Sequence, residues 1–457
     1  VVTHQVIGEV RLPGRNRRLD EEVRQRAHRR EFGDNHFLHV AEAGSFERRV
    51  PWEARGEGCN FSAGLQVVGA IAVAAIVFLV QKVRLPVFLA VMATVVVYGI
   101  AADMTFQSVG KAFGLGFATA MEQTGLLVVA GALVGAVVLR APLGTGTSTA
   151  AGLLAGLGAS ASGSLALLQP AGQDAPRRAL GLALTLLAVA ALLAPSPLAV
   201  AAASVMKASL STALMIAVPV AAVAIVLGWW HVARQIPSTD EPGEFNWAWL
   251  CVAIPLVLLL LQSIAQMPSE PLGKGGSREF YIGISKPLML AAIAITLAIV
   301  LARRWEPSAL AGRAWAPLLL AVGASGGLAR VFDETGMAEL LAEYALHPRY
   351  GVLTPFLAAA IVKTMQGNSL TAVLTASGMV EPMLPALGLD SASGRAIAAA
   401  AVGAGSMAVC HVNDPFFWIA AHMGRLSPGR ALYVVSLGST VMAIGALIVI
   451  AAIRQFV

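Results

Sequence analysis

The sequence predicts an all-α polytopic membrane protein of two inverted repeats with broken helices and re-entrant hairpins, spanning roughly 10–14 hydrophobic segments. Three observations predict it. The 457 residues are 57% hydrophobic and only 13% charged, with mean hydropathy +0.73, whereas soluble domains carry about 25% charged residues. Two polar clusters interrupt apolar runs, IVKTMQGNSLTAVLTASG from Ile361 and GAGSMAVCHVNDPFFW from Gly403 to Trp418. The small residues Gly131-Ala132, Gly135 and Gly144 recur with the same spacing as Gly323-Ala324, Gly327 and Gly336.

The first sixty residues differ from the rest. Arg15, Arg17, Arg18, Arg24, Arg26, Arg29 and Arg30 alternate with Asp20, Glu21, Glu22 and Glu31. No run there is apolar enough to cross a bilayer, and no signal-peptide core is present. Residues 1–60 are expected to be a charged, non-membrane N-terminal extension, disordered or a surface tail. The chain begins at Val1 rather than Met, so a start site placed too early and a cytoplasmic regulatory tail are the two readings.

Residues 61–230 form the expected first membrane repeat. Gly64–Val80 and Leu85–Ala102 read as spans joined at Lys82 and Arg84. Asp103–Gly125 is mixed and Gly-rich and reads as an interfacial connection. Leu126–Leu139 is apolar but short, and Ala150–Leu168 has the small-residue composition of closely packed membrane helices. After Leu180–Ala194 comes Pro195-Ser196-Pro197, where a serine N-cap followed by proline at the first helical position restarts a helix. Residues 231–286 hold a mid-chain span, Trp247–Leu261, between the charged stretches His231–Asn246 and Gln266–Lys286, which read as loops. Residues 287–457 form the second repeat.

In that repeat, Asp414 followed by Pro415 is again a cap and a helix start, now with His411 and Asn413 beside it. Such a break survives in a membrane only inside protein or beside a watery cavity. The earlier cluster places Lys363, Gln366, Asn368, Ser369 and Thr371 together. Gly367 permits a turn and Asn368 or Ser369 caps the next helix, so this reads as the tip of a re-entrant hairpin. Helix N-termini at both breaks attract an anion, and Lys363 adds a positive charge. A carboxylate-bearing substrate follows.

The segments QGNSLTAVLTASG and AGSMAVCHVNDPFFW resemble the gluconate permease family of proton-coupled organic-anion symporters, which shows a QGS-type segment and then AGS…SHxNDxGFW. The resemblance is strongest over Gly323–Trp418 and excludes the first sixty residues. It implies uptake of gluconate or a related sugar or hydroxy acid with a proton, two inverted repeats, and an elevator movement. The chain departs from the pattern in four places. Lys363 stands where the family has arginine, which removes a bidentate clamp. Pro415 and Phe416 replace a small pair, ALLAPSPLAV replaces a polar first break, and ASASGSLALLQPAGQDA replaces the usual first hairpin.

The sequence thus assigns substrate binding to Lys363, Gln366, Gly367, Asn368, Ser369, Thr375, Asn413 and Ser196. Proton coupling falls to Asp414, with His411 as relay. Each has a structural alternative: Asp414 as a bare helix cap, His411 as a core histidine, Asn368, Ser369 and Asn413 as partners of freed backbone, and Lys363 as a snorkelling side chain. Asp333, Glu334, Glu339 and Glu343 read as the solvated face of an amphipathic helix. The glycines at 131, 135, 323, 326 and 327 read as helix-packing positions.

Other functions are excluded or secondary. HExxH is absent, and Cys410 and His411, as neighbours in sequence, do not face each other on a helix, so the chain is not expected to be an enzyme. Three cysteines, Cys59, Cys251 and Cys410, make neither a disulfide framework nor a zinc site. The net charge of +6 fits basic loops without a nucleic-acid surface. No cofactor or metal is expected beyond the proton gradient. The partners are a small organic anion and the lipid bilayer of the bacterial inner membrane, with a homodimer left open. A sodium-coupled carboxylate carrier or a cation/proton antiporter of the same superfamily is the alternative.

Overall fold

A computed structural model of the chain describes residues 71–72, 75–76, 78–80, 82–137, 145–172, 175–237, 250–267, 269–273, 275–302, 315–335 and 346–456. Every regular element among them is helical. The expected N-terminal extension, Gly144, Gly336, Glu339 and Glu343 lie outside the described residues.

Helix α1 (Val87–Ala101) begins after Pro86 and ends where Asp103 turns with φ 59°. Thr105 caps α2 (Phe106–Ala120), which continues through a π turn at Met121–Gly125 into α3 (Leu126–Val137). The interfacial reading of Asp103–Gly125 is therefore corrected: most of it opens a helix that is long and apolar enough to cross a membrane, Phe106–Val134. Its low apolarity comes from polar residues such as Gln107, Lys111 and Glu122 and from glycine. A Cβ on Gly116 would lie 2.2 Å from the carbonyl oxygen of Gly326, and one on Gly323 would strike Phe117 at 2.3 Å. These glycines let α2 press against α12 (Trp315–Glu334), the close approach that small residues permit between membrane helices.

Two hairpins of short helices follow the same plan. The first joins α4 (Thr145–Gly156) to α5 (Ala161–Leu167), with Ser160 capping α5. Two broken helices then pack on them. The first is α6 (Pro176–Leu192) and α7 (Pro197–Val205), separated at Ala194–Ser196. Ser196 accepts from Ala199 N at 3.3 Å and donates to Ala190 O at 2.5 Å, so the Ser-Pro restart expected from sequence forms. The chain continues through α8 (Leu210–Gln235), α9 (Leu250–Ala265), α10 (Gly276–Ile284) and α11 (Pro287–Ala302). The region read as a loop at 266–286 thus holds α10, which meets α11 at a 63° bend and can make one broken span with it.

The second hairpin joins α13 (Leu353–Gln366) to α14 (Ser369–Val380), and the second broken helix is α15 (Ala392–Ser406) and α16 (Pro415–Met423). Helix α17 (Pro428–Ala431) runs through a π turn into α18 (Leu437–Ile453). Among the described residues, five helices are long and apolar enough to cross a membrane, or six with the bent pair. That is fewer than the count of hydrophobic segments; among the described residues, the hairpin arms and the broken halves α15 and α16 are each too short to span alone.

Helix α2 packs on α12 and α8 on α18; α4 packs on α6 and α13 on α15. The restarted halves cross over: α7 packs against α14, and α16 against α5. The candidate span Pro176–Val205 is the most enclosed, with 83% of its most apolar stretch buried.

Candidate functional site

The site forms where the tip of the second hairpin meets the second break. α13 ends at Gln366 because Gly367 takes φ 69°, a left-handed conformation that glycine adopts without strain. The chain then restarts: Asn368 Oδ1 accepts from Leu370 N at 2.9 Å and Thr371 N at 3.3 Å. Across from it, Asp414 caps α16 by accepting from Phe416 N at 2.8 Å, with Pro415 at the first helical position. The first-turn N–H groups that sequence left bare are thus held by their caps.

A backbone broken in an apolar interior must find partners for its freed groups. Here the two breaks supply each other. Asn413 Nδ2 donates to the carbonyls of Thr364 at 3.0 Å and Met365 at 2.9 Å. His411 Nε2 lies 2.7 Å from the same Thr364 oxygen; a carbonyl only accepts, so Nε2 carries the proton. Ser369 donates to Ser406 O at 3.0 Å. The loop before Asp414 is held from α17–α18: Ser439 accepts from Cys410 N at 3.1 Å, and Ser436 donates to Cys410 O at 2.5 Å. Trp418 donates its indole N–H to Val412 O at 2.8 Å. Val409, with φ 46°, holds a β-branched residue in the left-handed region, the kind of local strain that a surrounding framework must hold in place.

The charges sit inside this framework. Lys363 is 1% exposed and pairs with Oδ2 of Asp414, itself 4% exposed. The ammonium also donates to Gly367 O at 3.0 Å. Cys410 Sγ donates to the same carboxylate oxygen at 3.2 Å. Lys363 is therefore a buried partner of Asp414 and does not snorkel. Charges removed from water need this pairing, because an unpaired ion in such surroundings costs several kcal/mol.

The predicted residues divide by location. Lys363, Gly367, His411, Asn413 and Asp414 come together; Asn368 caps the adjoining turn, and Ser369 ties it to Ser406. Gln366 turns instead to α12, donating to Asp333 Oδ1 at 3.0 Å. Thr375 is half-buried on α14, two turns beyond the cap. Ser196 keeps its hydrogen bonds within its own break, which carries no ionisable side chain; Ser263 of α9 donates to Pro195 O there. Two buried polar atoms in the second break have no hydrogen-bond partner among the described residues, His411 Nδ1 and Asn413 Oδ1. Both are acceptors in this tautomer and orientation.

Two participants escape a reading from sequence. Cys410, one of three scattered cysteines, touches Asp414. Asp333, expected on a solvated face, joins Gln366 to Arg330, which bonds its other oxygen at 3.1 Å. The i, i+3 spacing of Arg330 and Asp333 is the available signal for the second. No local pattern marks the first.

The sequence profile described as GntP family permease matches residues 177–457, more than half of the chain and all of the second break. The chain belongs to the GntP permease family. Its family is one of membrane transporters rather than enzymes. Relatives of this GntP permease include the gluconate permease of Pseudomonas aeruginosa, 25% identical over 262 residues that cover 52% of this chain and 57% of that protein. The low-affinity gluconate transporter of Escherichia coli K12 is 30% identical over 257 residues, covering 51% and 57%. The high-affinity gluconate transporter of the same strain is 25% identical over 228 residues, covering 46% and 49%. The chain spans about half the length of the curated relatives it matches.

Proposed function

We propose that this permease is a proton-coupled symporter for a small organic anion, gluconate or a related sugar or hydroxy acid, in the bacterial inner membrane. The observation that carries the reading is the buried Lys363–Asp414 pair at the meeting of two helix breaks. With Asp414 ionised, Lys363 is neutralised from within the protein. A proton on Asp414 releases the ammonium, and a substrate carboxylate takes the vacated place beside it. One proton and one monovalent anion enter together, so the site carries zero net charge both empty and loaded. That equality matters, since an uncompensated charge is costly to move through a low-dielectric interior.

His411 Nδ1 is the acceptor through which the proton reaches Asp414. Asn413 Oδ1 accepts from a substrate hydroxyl, and Asn368, Ser369 and Thr375 complete the polar lining, with Gly367 holding the turn and Gln366 bracing it against α12. Ser196 marks the opposing break. The names of the relatives, gluconate permeases and transporters, support the substrate class. The lysine in place of a family arginine gives a point charge rather than a planar fork, which favours carboxylates presented at variable angles.

Two repeats, 61–230 and 287–457, flank the mid-chain segment 231–286 in this proposal. The pairing of α2 with α12 and α8 with α18, and the crossed packing of α7 and α16, support it.

The test is uptake of labelled gluconate into proteoliposomes under an inward proton gradient, with other hydroxy acids as competitors. Asp414→Asn retains the cap, because asparagine caps as well as aspartate, and removes the titrating group. Loss of proton-driven uptake with retained substrate binding is expected. Unchanged coupling in that variant, or no organic acid taken up by the native chain, overturns the proposal.

A further inference from the structure

A second polar feature lies at the opposite end of α13 from Lys363. The short 3-10 turn Pro348–Tyr350, the start of α13 and the end of α18 enclose a groove of about 660 Å³. Arg349 and Arg454 are its only charged lining residues among the described ones. Arg454 follows the last residue of α18, a helix that with α17 is long and apolar enough to cross a membrane. The groove therefore stands at the level where such a helix leaves the hydrocarbon.

The groove is built rather than incidental. Arg454 donates to Leu387 O at 3.0 Å, which fixes its guanidinium at the groove wall. Gly351, at φ 52°, makes room for it: a Cβ there would lie 2.6 Å from Nη1 of Arg454. Arg349 lies over the Tyr350 ring at 5.0 Å from the centroid and donates to the Tyr350 hydroxyl at 3.0 Å. Neither arginine has a carboxylate partner among the described residues. Beside them, Leu353 is 40% exposed and Ile448 is 63% exposed, and Ile444, one turn before Ile448 on α18, is also exposed. Two unneutralised guanidiniums, an interfacial tyrosine and an apolar strip running down a membrane helix match one chemistry: a phosphate head joined to an acyl chain.

We propose that this groove seats an anionic membrane phospholipid, its phosphate between Arg349 and Arg454 and one acyl chain along Ile448 and Ile444. The site is separate from the transport site and rests on no assumption about the cargo. Its occupant ties the turn before α13 to the end of α18.

The full chain, purified in detergent, tests this by native mass spectrometry and thermal unfolding with added phosphatidylglycerol, phosphatidylcholine or inorganic phosphate. Phosphatidylglycerol is expected to be retained and to raise the unfolding midpoint, and phosphatidylcholine to do neither. Arg349 is exposed and holds no distant backbone group, so Arg349→Gln leaves the fold intact. It lowers the apparent affinity for phosphatidylglycerol about five-fold, the worth of one basic residue at a membrane surface, and Arg349→Lys restores most of it. Equal retention of phosphatidylglycerol by the native chain and Arg349→Gln overturns the proposal. So does protection by inorganic phosphate equal to that by the lipid, which makes the groove a free-anion site.

Discussion

Gly367 and Asn413 meet backbone to backbone: a Cβ on Gly367 would lie 2.2 Å from the Asn413 carbonyl oxygen. The hairpin tip and the break are thus pressed together at a point where only a hydrogen fits. The same glycine holds φ 69°, so position 367 is constrained twice, by conformation and by space.

Gly367→Ala should therefore cost more than the about 1 kcal/mol expected from the left-handed conformation alone. The excess appears as a lowered unfolding midpoint in detergent. Gly378, on the next helix, is the control: a Cβ there would meet nothing within 4 Å, and Gly378→Ala should be neutral or slightly stabilising. Equal effects at the two positions would deny the close approach.

The Lys363–Asp414 pair makes a double-substitution prediction. Removing one partner leaves a buried charge alone, at a cost of about 3–5 kcal/mol. Lys363→Met should reach that range, and Asp414→Asn should approach it, since the cap is kept while the charge is lost. The double variant should be more stable than the sum of the two predicts, by more than about 1 kcal/mol. Additive behaviour would mean that the two groups do not pair in the folded protein.

His411 separates proton transfer from binding. Its Nε2–H supports Thr364 O, which Asn413 also holds, so His411→Leu should cost stability by only about 1 kcal/mol. Net uptake driven by a proton gradient should fall at least ten-fold. Exchange of labelled for unlabelled substrate, which moves no net proton, should persist. Loss of both in equal measure assigns His411 to the structure alone.

Outside the membrane helices, Glu381 bonds Lys207 at 2.7 Å and lies 3.8 Å from Arg395, linking the ends of α7, α14 and α15. The hydrogen bond from Lys207 and the two nearby positive charges hold its carboxyl below the usual glutamate range. A depressed folded-state value means that the stabilisation is present above the unfolded value and is lost as pH falls through the folded one. The unfolding midpoint of the native chain should therefore fall more steeply on acidification below about pH 4.3 than that of Glu381→Gln. High salt should narrow the difference, because the pair is exposed.

Local chemistry is readable in the sequence and distant pairing is not. The Ser196-Pro197 and Asp414-Pro415 restarts, the Gly367 turn and the Asn368 cap each depend on a few adjacent residues, and each forms. The partnership of Lys363 with Asp414 joins residues far apart in the chain, and no periodicity announces it. Asp103–Gly125 misleads because its polar residues and glycines lower apolarity whether they serve a loop or a helix; the contact of Gly116 with Gly326 is invisible to local composition. Asp333 misleads for the opposite reason: its helical spacing is real, but one face of that helix meets Gln366. His411 and Asn413 stand out by residue type, yet their donors serve the carbonyls of α13, and only acceptor atoms are left over.

The bond from Trp418 to Val412 gives the permease a built-in optical gauge. The indole is nearly sealed from solvent and its N–H is fixed to the loop that carries His411. Any rearrangement of that loop lengthens or releases this bond and shifts the emission of a single fluorophore. Eight tryptophans share the chain, so the difference spectrum between the native protein and Trp418→Phe isolates the signal. The loop's changes of state can then be timed without attaching a label.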